Sequence, residues 1–325
     1  MIREKRKLIP FVQAPDVEHL LIWKDVCEAI VSGHHLAAAD IDDIMFKHEQ
    51  GTLLSRAAWV PGMGIGVKTA TVFPGNINLQ PALPNTHTIF TMLDDLTGVP
   101  VALIDGDLVT RWKTAADSVL GARLLARPDS KILLIVGAGV VAQSLVEAYT
   151  EVFPALEQIF IWNRNIEKAQ KLALSMSRDS LPVAAVSDLA GTVSMADIVS
   201  SATMSIKPIL KGEWFKSGTH VDLIGAFRPD MREADDELIR KAEIFVDSRK
   251  TAIHDIGELN IPLQNGVIRN QDIRGDFYDL CNGGVARSSS GAITLFKNGG
   301  GAHMDLMTAR YIFQIYQATE NQASV

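Results

Sequence analysis

The sequence is poor in the features that mark secreted, metal-binding and membrane-embedded proteins. Its two cysteines, Cys27 and Cys281, lie far apart, so they give neither a disulfide framework nor the spacing of a metal site. No apolar run approaches the length that crosses a bilayer. The apolar stretch at residues 8–12 is too short for a signal peptide and contains Pro10. We therefore expect a reduced, cytoplasmic protein with no metal and no membrane segment.

The sequence also lacks an excess of positive charge. Its 31 Lys and Arg residues stand against 38 Asp and Glu residues, a formal net charge of −7. A general nucleic-acid-binding protein needs a basic face, so this class is disfavoured, and an anionic ligand would have to be bound by a few local cations. With 325 residues, of which 47% are hydrophobic, the chain is expected to form two domains that share a cleft.

A glycine-rich segment is the strongest motif of the chain. Residues 131–143 read KILLIVGAGVVAQ, and the apolar first half is typical of a parallel strand buried on both faces. Gly137 and Gly139 begin a G-x-G-x-x-A pattern, which allows a tight turn and the close approach of a pyrophosphate. A helix beginning at Val140 and Val141 would present free N–H groups to the phosphates. The alternative is a purely structural turn, since glycines are common where a strand meets a helix.

The segment after the next predicted strand bears on the choice of cofactor. The apolar run 158–162 ends at Asn163, Arg164 and Asn165, roughly 20 residues or slightly more beyond the glycines, where a ribose-reading residue is expected. No carboxylate that would select NAD stands there. Arg164 offers a guanidinium suited to a 2′-phosphate, so NADP is favoured and NAD stays open. The alternative is that Arg164 is a solvated loop residue.

The order of predicted elements indicates an α/β protein. A helix is expected over residues 16–39, with His34 and His35 as solvated residues near its end. An antiparallel meander of strands is predicted over residues 52–59, 65–73, 86–93 and 99–104. After residue 127, further strands at 183–186, 197–202, 220–225, 244–246 and 292–296 alternate with helical patterns such as 166–178 and 232–242, which predicts a Rossmann-type, doubly wound parallel sheet. A last helix over residues 301–316 is expected to return to the first domain.

Three cations stand at unusual places in the first part of the chain. Lys68 lies inside an apolar predicted strand, so its ammonium must reach solvent, pair with an anion or lose its proton. If the turn at residues 61–64 pairs two strands, Arg56 lies nearly opposite Lys68, and like charges are tolerated there only with a negative group nearby. A substrate carboxylate would meet that need. The alternative is that these side chains, like that of Lys113, point to different or solvated faces.

Several ordered segments together resemble the ornithine cyclodeaminase/mu-crystallin family over nearly the whole chain. The segments that carry the resemblance lie at residues 66–68, 73–76, 105–116, 136–143, 161–164, 208–210, 224–233 and 294–299. The resemblance implies a Rossmann domain, here residues 127–299, and a discontinuous α+β substrate and dimerisation domain, here residues 1–126 completed by 300–325. Members include cyclodeaminases, alanine dehydrogenases and reductases of cyclic ketimines such as pyrroline-2-carboxylate, so a homodimer is expected. Lys68 would then contact a substrate carboxylate or imine nitrogen.

The sequence departs from this family pattern at four positions. Lys113 stands where members typically have arginine, and Asp43 falls near the place of an early arginine. Arg56 occupies a position that is usually apolar and could be a relocated carboxylate clamp. Cyclodeaminases carry an aspartate where this chain has Phe227, and a residue without a titratable group does not suit proton transfer on an amine.

The leading hypothesis is an NAD(P)H-dependent oxidoreductase, with NADP favoured, that reduces a cyclic imino acid, a ketimine like pyrroline-2-carboxylate, to the amino acid. The predicted catalytic residues are Lys68, Lys113 and Arg56, and the predicted cofactor-binding residues are Gly137, Gly139, Val140, Val141, Asn163, Arg164, Asn165, Thr114, Thr203 and Phe227. Two alternatives stay open: an ornithine cyclodeaminase, and a non-enzymatic, mu-crystallin-like protein that binds NADPH and a small ligand.

Overall fold

The chain divides into two compact units. A computed structural model describes residues 8–178 and 181–323, so the basic residues 1–7 lie outside the described part. The first unit contains the chain up to Lys113 together with the segment from Gly301 onward, and the second contains Thr114–Gly300. The domain limit predicted between residues 126 and 127 stays a prediction. The two compact units divide thirteen residues earlier along the chain, between Lys113 and Thr114.

The first unit is built on a six-stranded sheet with the order β1-β6-β5-β4-β3-β2. The strands are β1 (Phe11–Val12), β2 (Asp40–Lys47), β3 (Thr52–Val60), β4 (Gly64–Val72), β5 (Thr86–Leu93) and β6 (Pro100–Asp105). Strands β2 to β6 pair in antiparallel succession, while β1 pairs parallel to β6. The predicted antiparallel meander is therefore confirmed, with an additional strand at each edge.

Helices cover this sheet. The helices of the first unit are α1 (Ala14–Val17), α2 (Trp23–His34), the beginning of α3 (Gly106–Leu125) and the last helix, α11 (Ala302–Ala323), with short 3-10 segments at Glu18–Leu20 and Pro74–Asn78. Helix α11 packs against α2, β3 and β4. It buries apolar residues such as Leu306 and Ile312. The predicted return of the C-terminal helix to the first unit is therefore confirmed.

The second unit is a doubly wound α/β layer structure. Its strands are β7 (Ile132–Val136), β8 (Gln158–Trp162), β9 (Val183–Val186), β10 (Ile198–Ser201), β11 (His220–Leu223), β12 (Glu243–Val246), β13 (Ile273–Gly275) and β14 (Thr294–Lys297). They form one sheet in the order β13-β12-β14-β11-β10-β7-β8-β9, and all neighbours are parallel. The predicted α/β class with a Rossmann-type parallel sheet is confirmed.

The helices of the second unit connect these strands. They are the rest of α3, α4 (Val140–Val152), α5 (Ile166–Met176), α6 (Leu189–Met195), α7 (Asp236–Lys241), α8 (Arg249–Ala252), α9 (Gly257–Gln264) and α10 (Phe277–Cys281), with 3-10 segments at Gly212–Trp214 and Asn270–Asp272. The main core cluster is formed by apolar strand residues such as Leu134, Val199, Val221 and Leu295 together with helix residues such as Leu238. Strands buried on both faces explain why these segments are continuous apolar runs.

Two local expectations fail. Strand β2 was not predicted, because its sequence DIDDIMFK has no buried face and is held as a strand by pairing with β3. His34 was expected to be solvated, but it is fully buried, with its Nδ1 2.7 Å from the carbonyl oxygen of Ile30 and its ring 5.3 Å from that of His303. His35, the next residue, is exposed.

The structure bears on disulfide bonds, metal sites and membrane-spanning helices, three features for which the sequence contains no signal. Neither Cys27 nor Cys281 forms a disulfide bond within the described residues. Within residues 8–178 and 181–323, no cluster of three or more His, Cys, Asp or Glu side chains could hold a metal ion. Over the same residues, no helix is both long and apolar enough to span a membrane.

Candidate active site

The glycine-rich turn lies at the carboxyl end of β7, the first strand of the second unit's sheet. Gly137 has φ +121°, and a Cβ atom on it would lie 2.8 Å from the carbonyl oxygen of Ala202, so a side chain is excluded for two independent reasons. Its N–H donates to the carbonyl of Trp162 at 2.8 Å. The turn is thereby placed beside the ends of both β8 and β10.

The start of α4 fits a pyrophosphate. Gly139 is the N-cap residue of this helix and brings no capping side chain, and a Cβ atom on it would have open space around it. The first amides of the helix, those of Val140 and Val141, are therefore not blocked by a cap, and they carry the positive end of the helix dipole. The 76% exposed side chain of Val140 shows that the helix begins at the surface of this unit.

The loop after β8 contains the three residues predicted to read the ribose. Asn165 caps α5, with its Oδ1 accepting from the N–H of Glu167 at 2.9 Å and of Lys168 at 3.4 Å. Asn163 donates from Nδ2 to the carbonyl of Asn165 at 2.9 Å. These two amides stabilise the turn, while the Arg164 side chain is exposed. Cofactor binding by the three residues stays a prediction.

The loops after β10 and β11 are held by a buried glutamate. Glu233 is fully buried. It accepts hydrogen bonds from the backbone N–H and the hydroxyl of Thr203, both at 2.7 Å, and from the N–H of Gly225 at 2.6 Å. Burial raises the pKa of Glu233, and hydrogen bonds from Ser201 and Thr203 oppose that rise. Glu233 lies in one of the segments that carry the family resemblance, residues 224–233, but no local pattern marks it for this role.

Phe227 lies in the loop after β11, and its side chain is 57% exposed. The Arg228 guanidinium lies 5.7 Å from the centre of its ring and forms a two-point ion pair with Asp230, at 2.9 and 3.1 Å. Thr114, the remaining predicted residue of this unit, lies in α3, where its carbonyl accepts from Asn298 Nδ2 at 3.3 Å. Contact of Phe227 and Thr114 with a cofactor stays a prediction.

The first unit aligns three charged residues across adjacent strands. The register pairs Asp43 of β2 with Arg56 of β3, and Arg56 with Lys68 of β4, so the three side chains share one face of the sheet. The predicted pairing of Arg56 opposite Lys68 is confirmed. Arg56 Nε lies 2.9 Å from Asp43 Oδ2, which supplies one of the negative groups that two neighbouring cations require.

Lys68 has a buried counterion from the end of the chain. Its Nζ lies 2.7 Å from Asp305 Oδ1 on α11, and the side chains of Lys68 and Asp305 are 12% and 2% exposed. A weaker contact of 3.4 Å joins Nζ to the Thr110 hydroxyl. Burial lowers the pKa of Lys68, the charge of Asp305 opposes this, and the cations Lys113 and Arg56 lower it further. Asp305 was missed because it follows Lys68 by 237 residues.

Lys113 completes the cationic group of this unit. It is 4% exposed, so a charged group lies in an interior where ions interact strongly. Burial, together with the smaller effects of His34, Lys113 and Arg56, lowers the pKa of His303 to about 3. The structure thus brings the three predicted catalytic residues into electrostatic reach of one another within the first unit. Their catalytic roles stay predictions.

The comparisons with known proteins agree with this architecture. The sequence model described as "Ornithine cyclodeaminase/mu-crystallin family" matches residues 42–320. A Δ1-pyrroline-2-carboxylate reductase of Paracoccus denitrificans is 50% identical over 306 residues, covering 94% of this chain and 96% of that protein.

Two solved structures share the fold over nearly their whole length. The Δ1-pyrroline-2-carboxylate reductase of Thermococcus litoralis, solved in complex with NADH and L-proline, is 28% identical with a TM-score of 0.87, covering 96% of this chain and 98% of that chain. An archaeal alanine dehydrogenase dimer with bound NAD is 25% identical with a TM-score of 0.87, covering 96% and 97%. The resemblance found in the sequence is confirmed, and the chain belongs to the ornithine cyclodeaminase/mu-crystallin family.

Proposed function

We propose that this protein is an NAD(P)H-dependent oxidoreductase that reduces a cyclic imino acid, pyrroline-2-carboxylate or a near analogue, to the amino acid. The observation that carries the proposal is the group of cations in the first unit, Lys68, Arg56 and Lys113. Lys113 is buried, and the Lys68 side chain, 12% exposed, is paired with Asp305. Such a group suits a small carboxylate. The Paracoccus relative, named for this reaction, supports the same substrate class.

The residues of the second unit fit a dinucleotide. The side-chain-free turn at Gly137 and Gly139 and the uncapped amides of Val140 and Val141 would hold the pyrophosphate. A nicotinamide bound there supplies the hydride that reduces the imine carbon. The exposed ring of Phe227 would keep water from the reacting face, which suits hydride transfer to a preformed imine.

The cations have two tasks in this reaction. Lys113 and Arg56 would bind and orient the substrate carboxylate, since holding the reactants in place supplies a large part of catalysis. Lys68, whose pKa is lowered by burial, would donate a hydrogen bond or a proton to the imine nitrogen, because a lysine with a pKa closer to neutrality gives up its proton more readily. Reduction adds a hydride to the imine carbon and a proton to the imine nitrogen. The nicotinamide would supply the hydride, and Lys68 would supply the proton.

The reaction test follows substrate and cofactor together. Purified protein with NADPH or NADH and pyrroline-2-carboxylate should form proline and oxidise one cofactor for each proline. Ammonia and proline formed from ornithine without net cofactor change would identify an ornithine cyclodeaminase. Cofactor binding without turnover of either compound would identify a non-enzymatic binding protein.

A variant at Lys68 tests its role. Lys68→Met keeps most of the stem volume but removes the charge, so turnover of the imino acid should fall sharply. Lys131→Met is the control, because Lys131 also pairs with a carboxylate, Glu157 at 2.6 Å, but is solvent exposed. Normal kinetics of Lys68→Met would remove Lys68 from the mechanism.

For the cofactor we propose a preference for NADPH over NADH. The carboxylate that would repel a 2′-phosphate is absent from the loop 163–165, and the exposed Arg164 provides a guanidinium instead. Arg164→Ala should cost on the order of 1.5–3 kcal/mol of NADPH binding and leave NADH binding nearly unchanged. Lys171→Ala, an exposed cation on α5, serves as the control. Equal losses for both cofactors would show that Arg164 does not contact the 2′-phosphate.

We also propose a homodimer that uses the edge strand β2. Ile44, Met45 and Phe46 follow one another on this strand, and each is more than half exposed, which is unusual for apolar side chains on a free sheet edge. The alanine dehydrogenase with the same fold is described as a dimer. Light scattering after size-exclusion chromatography should give twice the chain mass, and Phe46→Asp should give a monomer. Leu174→Asp, on the exposed surface of α5, should stay dimeric; a dimer that survives Phe46→Asp would exclude β2 as the interface.

A further inference from the structure

One buried carboxylate joins the ends of two neighbouring strands in the second unit. Glu233 Oε1 accepts from the Ser201 hydroxyl at 2.6 Å and from the N–H and hydroxyl of Thr203, both at 2.7 Å. Its Oε2 accepts from the N–H of Gly225 at 2.6 Å. Ser201 is the last residue of β10, Thr203 lies in the loop that follows it, and Gly225 follows β11. One side chain therefore takes donors from both strand ends.

The two loops that Glu233 joins approach each other backbone to backbone. A Cβ atom on Gly225 would overlap the backbone of Thr203, so only glycine permits this approach. Two N–H groups and two hydroxyl groups directed at a fully buried carboxylate favour the ionised form of Glu233, because a protonated oxygen would itself be a donor. The geometry therefore needs a glutamate rather than a glutamine at this position.

A second buried carboxylate holds the segment that carries Glu233. Glu258 of α9 accepts from the N–H of Glu233 at 2.7 Å and from the N–H of Ala234 at 3.0 Å. Lys297, which is also fully buried, donates to the carbonyls of Leu223 at 3.0 Å and Asn298 at 2.5 Å. Its charge favours the ionised forms of Glu233 and Glu258. The contacts of Glu258 therefore hold the backbone of Glu233 in position.

The loops after β10 and β11 lie beside the point at which the strand order of the sheet reverses. The order of strands reverses at β7, with β8 on one side and β10 and β11 on the other. A dinucleotide binds across such a switch point at the carboxyl ends of the strands. If the phosphates lie at Gly137 and the adenosine half at the loop after β8, the nicotinamide half falls to the side of β10 and β11, where Thr203 and Gly225 lie.

We propose that Glu233 is a positioning residue for the nicotinamide end of the cofactor, an inference that rests on the proposed function. By accepting the proton of the Thr203 hydroxyl, Glu233 leaves that oxygen as an acceptor only. An oriented acceptor at this place suits the NH₂ group of the nicotinamide carboxamide. The same carboxylate keeps the loops after β10 and β11 at the spacing that the ring requires.

The test compares the whole cofactor with a fragment that lacks nicotinamide. Dissociation constants of NADPH, NADH, ADP-ribose and 2′-phospho-ADP-ribose are measured by calorimetry for the wild type, Glu233→Gln and the matched control Glu237→Gln. Glu237 lies four residues further on, in an ion pair with Lys241 on the surface of α7. We expect Glu233→Gln to weaken the complete cofactor about tenfold, roughly the loss of one hydrogen bond to a charged group, and to leave the matching fragment within about twofold.

A second variant keeps the proposal testable if Glu233→Gln does not fold. Thr203→Val removes the oriented hydroxyl, retains the side-chain shape and leaves the contacts of Glu233 to Ser201 and Gly225 intact. It should show the same selective loss for the complete cofactor. Equal weakening of cofactor and fragment in Glu233→Gln, or wild-type cofactor affinity in Thr203→Val, would overturn the proposal. A wild type that binds neither NADPH nor NADH would instead overturn the proposed function.

Discussion

Removal of the Asp305 carboxylate tests how strongly the pair with Lys68 contributes to the first unit. The Asp305→Asn variant keeps the side-chain shape and an amide oxygen that can accept from Lys68 Nζ, but it replaces the negative charge beside the Lys68 ammonium, 12% exposed, with a neutral group. Breaking a buried ion pair at one partner costs roughly 3–5 kcal/mol. Because Lys68 retains some access to water, we expect a loss near the lower limit, about 3 kcal/mol at neutral pH.

The same variant should respond to pH in a defined direction. Burial already holds the pKa of Lys68 below its ordinary value of 10.5, and Asp305 opposes this by its charge and its hydrogen bond. Asp305→Asn removes the negative charge that opposes the effect of burial, so the pKa of Lys68 in the folded variant falls further. Between this lowered pKa and 10.5 the unfolded chain binds more protons than the folded one, so stability rises with pH. The deficit of the variant should therefore shrink as the pH approaches 10.5.

The assay is urea denaturation at neutral pH and at about pH 9.5, one unit below the ordinary lysine pKa. Glu157→Gln is the matched control, because it breaks a lysine–carboxylate pair of 2.6 Å whose side chains are 57% and 64% exposed. Exposed pairs contribute little, so its midpoint should hardly move. Equal midpoint shifts in both variants, or a deficit in Asp305→Asn that grows with pH, would refute the reasoning.

Three further predictions follow from single residues. Gly137→Ala places a Cβ atom 2.8 Å from the Ala202 oxygen at φ +121°, so a thermal melt should show a loss of about 1–3 kcal/mol that Gly75→Ala, which has open space, does not. His303 has a pKa of about 3 against 6.5 unfolded, so the wild type should lose stability as the pH falls from 6.5 towards 3, and denaturation of His303→Gln should show a flatter dependence. Phe227→Ala should lower turnover while the denaturation midpoint stays unchanged, since the ring is 57% exposed; a shifted midpoint with normal turnover would give Phe227 a structural role.

The features that the sequence predicted are those that depend on neighbouring residues. The strand before Gly137, the turn and the start of α4 at Val140 lie within one short segment, where apolar runs and glycines are sufficient signals. The pairing of Arg56 with Lys68 was also predictable, because one short turn fixes the register of both strands. Local pattern therefore determined the glycine-rich turn and the meander.

The features that the sequence did not predict depend on distant partners. Asp305 follows Lys68 by 237 residues, and nothing in either segment marks the pair. The role of Glu233 requires donors from residues 201, 203 and 225 to converge on one carboxylate, which only the folded sheet brings about. His34 was expected to be solvated at a helix end, but it is fully buried, with its ring 5.3 Å from that of His303.

The position of α11 in the first unit has a consequence for the order of folding during synthesis. The sheet formed by β1 to β6 leaves the ribosome early, but the helix that covers it and carries Asp305 emerges only after the whole second unit. Until then, Lys68 lacks the Asp305 counterion, and the face of the sheet that α11 covers stays open to solvent. Chains are made from the amino end at about 5–20 residues per second. The six-stranded sheet is therefore complete roughly ten seconds or more before α11 emerges. The second unit, encoded in one continuous stretch, can therefore finish folding before the first.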